Sequence, residues 1–427
     1  MKVRISFILL FLCSLFFLNS QNTPIAYQGA LIYPINGNPI ENGTLLVQNG
    51  KIIAVGSNVN IPQNAIVNDV SGKVIMPGLI DTHSHLGNGS GGDRSGALHP
   101  EVRLLDALNP MAVDLMKARS GGITTLNIMP GSGHLMSGQT VYIKNKLGKV
   151  IEDLTICNNV SSEICGGMKM ANGTNSIRDK PFPGTRAKSA ALVRELFIKA
   201  QDYQKKLDAG KKDASKMPTR DLKMEALVQI LERKRIVHFH THRHDDVLTA
   251  IRISKEFGFK IVLHHVSEAW KVADEIAEAK VPVSLIFIDS PGGKMEAVDL
   301  DPKSAPFLEK AGVDVAFHTD DPITDSRLFL RSAAIGVREG MSKQKALEGL
   351  TLAGARMLEL DDRIGSLEKG KDADFIILSG DPLSVYTHVE ETWIEGQKVY
   401  DRKNKTDKAF AVGGYQVYPE TTTHVHD

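Results

Sequence analysis

The stretch Pro77-Gly78-Leu79-Ile80-Asp81-Thr82-His83-Ser84-His85-Leu86-Gly87 decides how this chain folds. It follows Val74-Ile75-Met76, so a strongly apolar run ends in two histidines one residue apart. Side chains alternate along a strand, which puts His83 and His85 on one face. Two imidazoles on one face at the end of a buried strand can share a metal ion, because borderline metals favour imidazole nitrogen. A pair merely packed or solvated at a strand end carries the same local signature, so the rest of the chain has to decide.

The chain has 427 residues, 42% of them hydrophobic and 24% charged. That length buries a large core and suits about two domains. A formal net charge of +1 leaves no polybasic footprint for nucleic acid. Residues 1–20 read as a secretory signal peptide: Lys2 and Arg4, an apolar segment 5–18, then Asn19-Ser20-Gln21-Asn22. The segment is short for a membrane span, and no other run is long enough for one. Cleavage is expected near Ser20, although Leu18 sits where a small residue is preferred. Cys13 lacks the small residue expected before a lipoprotein cysteine. The mature chain is therefore expected to be exported, periplasmic or secreted. It keeps Cys157 and Cys165, which either pair in an oxidising compartment or stay as buried thiols.

Both ends of the mature chain read as β-structure. Runs 43–47 and 51–55 flank Gln48-Asn49-Gly50, a tight-hairpin signal. Near the other end, 374–378 reads as a strand, and 392–394 and 398–400 flank Glu395-Gly396-Gln397 as a second hairpin. The middle alternates strand and helix. Strands are expected at 124–129, near Thr155 and Met168, and at 236–240, 260–265, 281–288 and 313–319. Helices are expected at 245–257 (closed by Gly258), 268–279, 305–310, 326–338 and 343–358. With the opening strand this makes eight strands, which suits a (β/α)8 TIM-type barrel over 74–363. A small β-sandwich would be built from 22–73 and 364–415, leaving 416–427 as a tail. A doubly wound open sheet is the alternative, but no strand-to-helix turn carries a dinucleotide fingerprint. The glycine-rich run 87–96 lacks a following Gly-Lys-Ser/Thr and reads as a loop over the site. The second His-x-His, His424 and His426, reads as frayed tail.

In such a barrel the chemistry sits at the C-terminal ends of the strands. His83 and His85 satisfy that condition. In Val237-His238-Phe239-His240-Thr241-His242-Arg243-His244, His238 comes too early and His244 falls in the loop. His240 ends the strand and is the first choice, with His242 second. In Val262-Leu263-His264-His265 alternation allows one inward ring, and His265 lies nearer the strand end. In Ala316-Phe317-His318-Thr319-Asp320-Asp321-Pro322, Asp320 ends the strand, and Asp321 reads as a cap for the next segment. A carboxylate at the strand end can bind metal and pass a proton.

This ring of His83, His85, His240, His265 and Asp320 resembles the amidohydrolase superfamily. So do VIMPGLIDTHSHLG, Gly121-Gly122-Ile123-Thr124-Thr125, LHHVSEA, FHTDDP and the ending IGSLEKGKDADFIILSGDPL with WIEGQKVYD. PGSGHLMSGQ and TRAKSAALVRELFIKAQDY are similar to its imidazolonepropionase-like branch. The resemblance implies hydrolysis of an amide or cyclic amide in a small-molecule substrate. A divalent cation, zinc by default and iron or manganese otherwise, would make water nucleophilic near neutral pH. Asp320 would take the proton and return it to the leaving nitrogen. Many relatives bridge two metals with a lysine carboxylated on its amine at the end of strand 4, and Lys169 in Gly166-Gly167-Met168-Lys169-Met170-Ala171 is the candidate. If it bridges, His83, His85 and Asp320 hold one ion and His240 and His265 the other. Otherwise one ion remains, and the Lys169 amine reaches solvent or a carboxylate such as Glu163. A dipeptidase of the same fold and a non-catalytic metal-binding protein are the competing readings.

Overall fold

The computed structural model describes residues 23–413, apart from 88, 90–91 and 288–294. The expected signal peptide, Cys13 and the tail with its His-x-His lie outside the described residues, as does part of the glycine-rich run. The chain opens with β1 (Ile25–Ile32), β2 (Ile40–Gln48), β3 (Lys51–Gly56), β4 (Ile66–Asp69) and β5 (Val74–Pro77). The middle carries β6 (Leu79–Ser84), β7 (Ile123–Ile128), β8 (Met136–Gln139), β9 (Val141–Lys144) and β10 (Met168–Ala171). It continues with β11 (Val237–Thr241), β12 (Ile261–His265), β13 (Val283–Leu285) and β14 (Val315–Phe317). The chain returns through β15 (Phe375–Leu378), β16 (Val389–Ile394) and β17 (Gln397–Asp401).

The two ends of the chain share one sheet, ordered β17-β16-β15-β5-β1-β2-β3 with β4 also on β1. Both expected hairpins form within it. Asn49 and Gly50 have φ of 52° and 74°, and Glu395 and Gly396 of 49° and 71°. Two successive left-handed residues give the turn whose twist matches the flanking strands. The sheet encloses a core of its own that includes Tyr27, Leu45, Val47, Ile75, Phe375 and Ile377. The rings of Phe375 and Trp393 stack at 5.6 Å, and Tyr27 meets them edge-on at 5.0 and 5.4 Å. The apolar run before the first histidines is not one strand. It breaks at Pro77-Gly78, so β5 pairs with β1 and β15 in the chain-end sheet while β6 starts the inner layer.

Two inner sheets carry the alternating part of the chain. One is ordered β14-β13-β12-β11-β10-β8 and the other β6-β7-β9. From β10 to β14 every pairing is parallel, as connections through helices require. Backbone hydrogen bonds cross between the sheets on both sides: Asp320 N–H to His83 O at 2.9 Å, and Thr140 N–H to Gly167 O at 2.9 Å. The largest core fills the layers around them, with Leu79, Leu126, Val237, Leu263, Val283 and Phe317 buried.

Several expected boundaries shift. The run 268–279 is a 3-10 turn, Ala269–Lys271, followed by Ala273–Glu278. The run 343–358 divides into Lys343–Gly349 and Leu352–Met357. Thr155 forms only an isolated bridge to Ile143. Strand β14 stops at Phe317, because the chain bends into a left-handed conformation at Asp320, φ 51°. Cys157 and Cys165 form a disulfide. The 27-residue helix Arg186–Lys212 was not expected from periodicity. It is capped by Thr185, which accepts from Lys188 N, and it stacks Phe197 on Phe257 and Phe259.

Candidate active site

The ends of β6, β11, β12 and β14 bring one set of histidines together. His83, on β6, is fully buried. His85 lies one residue past the end of that strand, its ring 5.2 Å from that of His83. Its Nδ1 donates to the Met129 carbonyl at 2.7 Å, which turns Nε2 towards Asp320 Oδ1, 2.9 Å away. Fixing one imidazole nitrogen with a backbone carbonyl is the usual way of aiming the other at a cation. Asp320 Oδ1 also lies 3.3 Å from His83 Nε2, and Oδ2 lies 4.0 Å from His265 Nε2.

Asp320 reaches this position because Asp81 ties its loop to β6. Fully buried, Asp81 accepts from the Thr319 backbone N–H at 3.0 Å and from the Thr319 hydroxyl. Burial pushes the Asp81 carboxyl up to about 7, against those two hydrogen bonds. Asp321 turns the other way and does cap: it accepts from Ser326 N at 2.8 Å and Ser326 Oγ at 2.6 Å, and pairs with Lys117 at 2.8 Å.

His240 packs its ring 4.1 Å from His265 and accepts from Asn175 Nδ2 at 2.9 Å. His242 stands 4.7 Å from His240 and bonds Ser267 Oγ at 2.7 Å. His238 belongs to a lower layer, as its position in the strand implied. It bonds Tyr142 OH at 2.8 Å and His264 at 3.0 Å. His244 pairs with Glu268 at 2.6 Å on the rim.

The expectation that only one of His264 and His265 faces inward is overturned. His264 and His265 both approach the His83 ring, at 5.0 and 4.8 Å. The reason is local: His265 and Val266 take φ of 70° and 43°, which breaks the alternation at the strand end. Sequence reasoning also missed His318, whose ring stacks on His83 at 4.9 Å and whose Nδ1 bonds Ser284 Oγ at 2.8 Å. A signal existed, since His318 lies in the same short FHTDDP stretch as Asp320.

Ligand atoms of His83, His85 and Asp320 lie within 4.8 Å of one another, as do those of His240, His242 and His265, and those of His83, His265 and His318. His83 and His265 link the three groups into one continuous set of donors. Three of these imidazoles are held towards the neutral form. Burial, then the charge of Lys169, keeps His83 well below the usual histidine range, and burial with neighbouring imidazoles does the same to His265. Burial lowers His318 to about 3. Neutral imidazoles present lone pairs, as metal binding needs. Among the described residues, both ring nitrogens of His265 and Nε2 of His318 lie buried without a hydrogen bond. A buried nitrogen left in that state is costly, and a cation would satisfy it, so this donor set fits a metal.

Lys169 is fully buried on β10, with Nζ 2.8 Å from His83 Nε2 and 3.0 Å from Met129 Sδ. Its amine reaches neither solvent nor Glu163, which instead accepts from Asn158 N. Burial pushes the Asp320 carboxyl up, but the His85 hydrogen bond and the charges of His85 and Lys169 outweigh it and hold the group at about 2.

Known proteins share this chain's sequence pattern and fold. The amidohydrolase tasK of Hapsidospora irregularis is 27% identical over 431 residues, covering 90% of this chain and 44% of that protein, so the chain spans under half of tasK. The imidazolonepropionase of Picrophilus torridus is 23% identical over 392 residues, covering 86% of this chain and 94% of that protein. A crystal structure of an amidohydrolase from Thermotoga maritima MSB8 is 35% identical with a TM-score of 0.83, over 88% of this chain and all of that one. The likeness carries a TIM-barrel-type fold of mixed α/β content. Residues 74–400, from the strand before the first histidines to the last strand of the chain-end sheet, match the amidohydrolase family, and the chain belongs to it.

Proposed function

We propose that the protein is an exported, metal-dependent hydrolase of C–N bonds in small amides or cyclic amides, working at the His83–His265–Asp320 cluster. The observation that carries this reading is the set of imidazoles converging with one carboxylate, held at about 2, at the strand ends. His83, His85 and Asp320 would hold one divalent cation, and His240 and His265, with His242 beside them, a second. Zinc is the first choice for an imidazole-rich set. A cation bound there supplies Lewis acidity, which makes water more acidic and polarises a carbonyl.

The chain's own residues do the rest. Asp320, ionised and fixed by His85, accepts a proton from the attacking water and passes it to the leaving nitrogen, as a positioned carboxylate can. Asp81 holds the Asp320 loop against β6, so the carboxylate need not reorganise. Lys169, with Nζ 2.8 Å from His83 Nε2, would help to hold both cations if its amine added carbon dioxide and lost a proton to give a carbamate. That change replaces a buried ammonium, costly in this setting, with an anion.

The inner sheets would close as the (β/α)8 barrel, with the chain-end sheet as the β-sandwich module. Export rests on residues 1–20 and agrees with the Cys157–Cys165 pair, which an oxidising compartment favours. The test is elemental analysis of the purified mature protein, followed by assay against dipeptides, N-acyl amino acids and cyclic amides. Metal below about a tenth of an equivalent after supplementation, a level at which most sites would be empty, would sink the proposal. So would absence of turnover on all three classes by metal-loaded protein. A dipeptidase is the second reading, favoured only if the dipeptides are the class turned over.

A further inference from the structure

We propose that Asn175 is the positioning residue for His240, and that Glu296 acts on the metal group through it by clamping the turn that carries Asn175. This rests on the reading that His240 and His265, with His242 beside them, hold a cation.

Every link of the clamp is a direct contact. Asn175 Nδ2 lies 2.9 Å from His240 Nε2 and donates to it. Asn175 sits in the 3-10 turn Gly173–Ser176, and two hydrogen bonds fasten the backbone on either side of Gly173. The Asn172 N–H donates to the His240 carbonyl at 3.2 Å, and the Thr174 N–H to Glu296 Oε2 at 2.7 Å. The same Glu296 oxygen accepts from Arg186 Nη2 at 3.2 Å, at the start of the helix Arg186–Lys212. Arg186 Nε in turn donates to both oxygens of Asp246, at 3.1 and 2.9 Å. Asp246 stands in the first turn of the helix His244–Phe257, and its backbone carbonyl accepts from Asn172 Nδ2 at 2.9 Å. The path therefore closes on itself, leaving His240 at its carbonyl and returning to it at the ring.

Gly173 lets the carboxylate come this close. Its φ is 68°, and a Cβ there would lie 2.5 Å from Glu296 Oε2. Glu296 is 5% exposed, so its charge-assisted bonds to Thr174 and Arg186 are made away from water, where they hold the turn more firmly than exposed contacts could. With Nε2 held by the amide, His240 turns Nδ1 to a cation, just as the Met129 carbonyl holds one nitrogen of His85 and aims the other. A neutral imidazole bound through Nδ1 carries its proton on Nε2 and needs an acceptor there. Asn175 can supply one. Its Oδ1 is buried and, among the described residues, makes no hydrogen bond. A half-turn of the amide brings that oxygen to the ring in place of Nδ2. An amide thus serves the ring without a cation as donor, and with one as acceptor.

The test is zinc titration of the full mature chain in competition with a chromophoric chelator, with stoichiometry and turnover measured on the same samples. Asn175→Leu, close in size, should weaken one equivalent by about tenfold to a hundredfold, the usual cost of losing such a partner, and leave the other unchanged. Asn175→Asp, which can only accept, should hold zinc at least as tightly as the wild type. Glu296→Ala should weaken the same equivalent by about tenfold, the lower end of that range. If it does not fold, Glu296→Gln, which keeps an oxygen for Thr174 but loses the charge facing Arg186, should show a smaller loss in that equivalent. The double variant should lose little more than Asn175→Leu alone, because residues on one path are not additive. Arg194→Ala is the control. Arg194 also joins the two helices, through Glu256 at 2.7 Å, and its loss should leave zinc binding unchanged. Equal weakening of both equivalents, full additivity in the double variant, no loss on changing Glu296, or Asn175→Asp as weak as Asn175→Leu would overturn the assignment. A single equivalent in the wild type supports it if Asn175→Leu weakens that ion, and overturns it otherwise. The two readings fail in different ways. A wild type that binds no zinc rejects the hydrolase and this inference with it. A wild type with zinc and turnover, matched by every variant, rejects the clamp and keeps the hydrolase.

Discussion

Replacing Asp320 by Asn removes a charge while changing almost nothing else. Asp320 has φ 51°, a left-handed conformation that Asn tolerates as well as Asp. Its backbone N–H bonds His83 O at 2.9 Å, and the substitution leaves that tie between β14 and β6 intact. The side-chain oxygen 2.9 Å from His85 can remain in place as an amide oxygen. What disappears is the capacity to accept a proton and return it. General acid–base catalysis contributes about 10²–10⁴-fold, so kcat/KM should fall by that factor, about 3–5 kcal/mol in barrier height. Asp321→Asn is the control. Asp321 is 1% exposed and engaged by Lys117 and Ser326, so the variant should lose about 1–3 kcal/mol of stability while each folded molecule keeps its activity within a few fold. The assay is steady-state turnover on the best amide of the panel, with elemental analysis and a thermal melt on the same preparations. A loss below about tenfold in Asp320→Asn at unchanged metal content would contradict a role worth 10²–10⁴-fold. An equal loss in Asp321→Asn would contradict the division of labour between the two carboxylates.

Lys169→Ala should lower metal content from two equivalents towards one in protein prepared with bicarbonate, and one equivalent in both proteins would reject the bridge. Chelation should lower the melting temperature, because a ligand that binds only the folded state stabilises it by mass action, and an unchanged melt would separate the histidine cluster from metal. Lys144→Met should destabilise by about 3–5 kcal/mol, since Lys144 is 2% exposed between the carboxylates of Asp372, at 2.8 Å, and Asp374. Of the two carboxylates only Asp372 is held down; burial of Asp374 outweighs its Lys144 contact and raises it. Burial raises the Asp372 pKa too, but Lys144 and the other cations outweigh that and bring it from 3.8 to about 2. Its share of stability is present above pH 3.8 and lost as pH falls towards 2. Acid unfolding should be flatter over that window in Lys144→Met, and an unchanged profile would refute the assignment.

The parts of the fold that were legible in the sequence are those whose signal is local. Asn49-Gly50 and Glu395-Gly396 mark hairpins because two left-handed residues leave few alternatives. Gly258 closes the helix His244–Phe257 because the cap, φ 73°, is left-handed. The elements that escaped notice depend on context. The strands β8 and β9 are four residues each, and β8 reads Met-Ser-Gly-Gln, too short and too polar for a period to emerge. The helix Arg186–Lys212 buries only a thin stripe, Val193, Phe197, Ala200 and Tyr203 among them, and most of its charged surface faces water. The apolar run 74–80 looked continuous because hydrophobicity does not report which sheet a strand joins; Pro77-Gly78 is where the two sheets part.

The site divides along the same line. His83, His85 and His240 could be read because regular strand geometry carries each one to the inner face or just beyond it, and Asp320 because it follows closely on a strand end. His264 and His265 could not be ranked by alternation, since that rule assumes extended backbone and His265 abandons it. This departure has a chemical consequence. With an alternating β12, one of the two rings would turn into the surrounding layer, and either His265 or the His264–His238–Tyr142 column would be lost. The left-handed turn instead lets two consecutive side chains serve two layers. His264 joins the buried hydrogen-bonded column, and His265 stands between His240 and His318, with centroids 4.1 and 4.8 Å away. A left-handed non-glycine residue costs about 1–2 kcal/mol, so such a conformation persists only where its surroundings determine it. Here they do: Val266 N–H bonds the Thr241 carbonyl at 2.9 Å, which pins the turn to the end of β11 beside His240 and His242. The strain therefore sits where the second group of donors converges, and the cluster depends on the backbone of β12 as much as on the identity of its side chains.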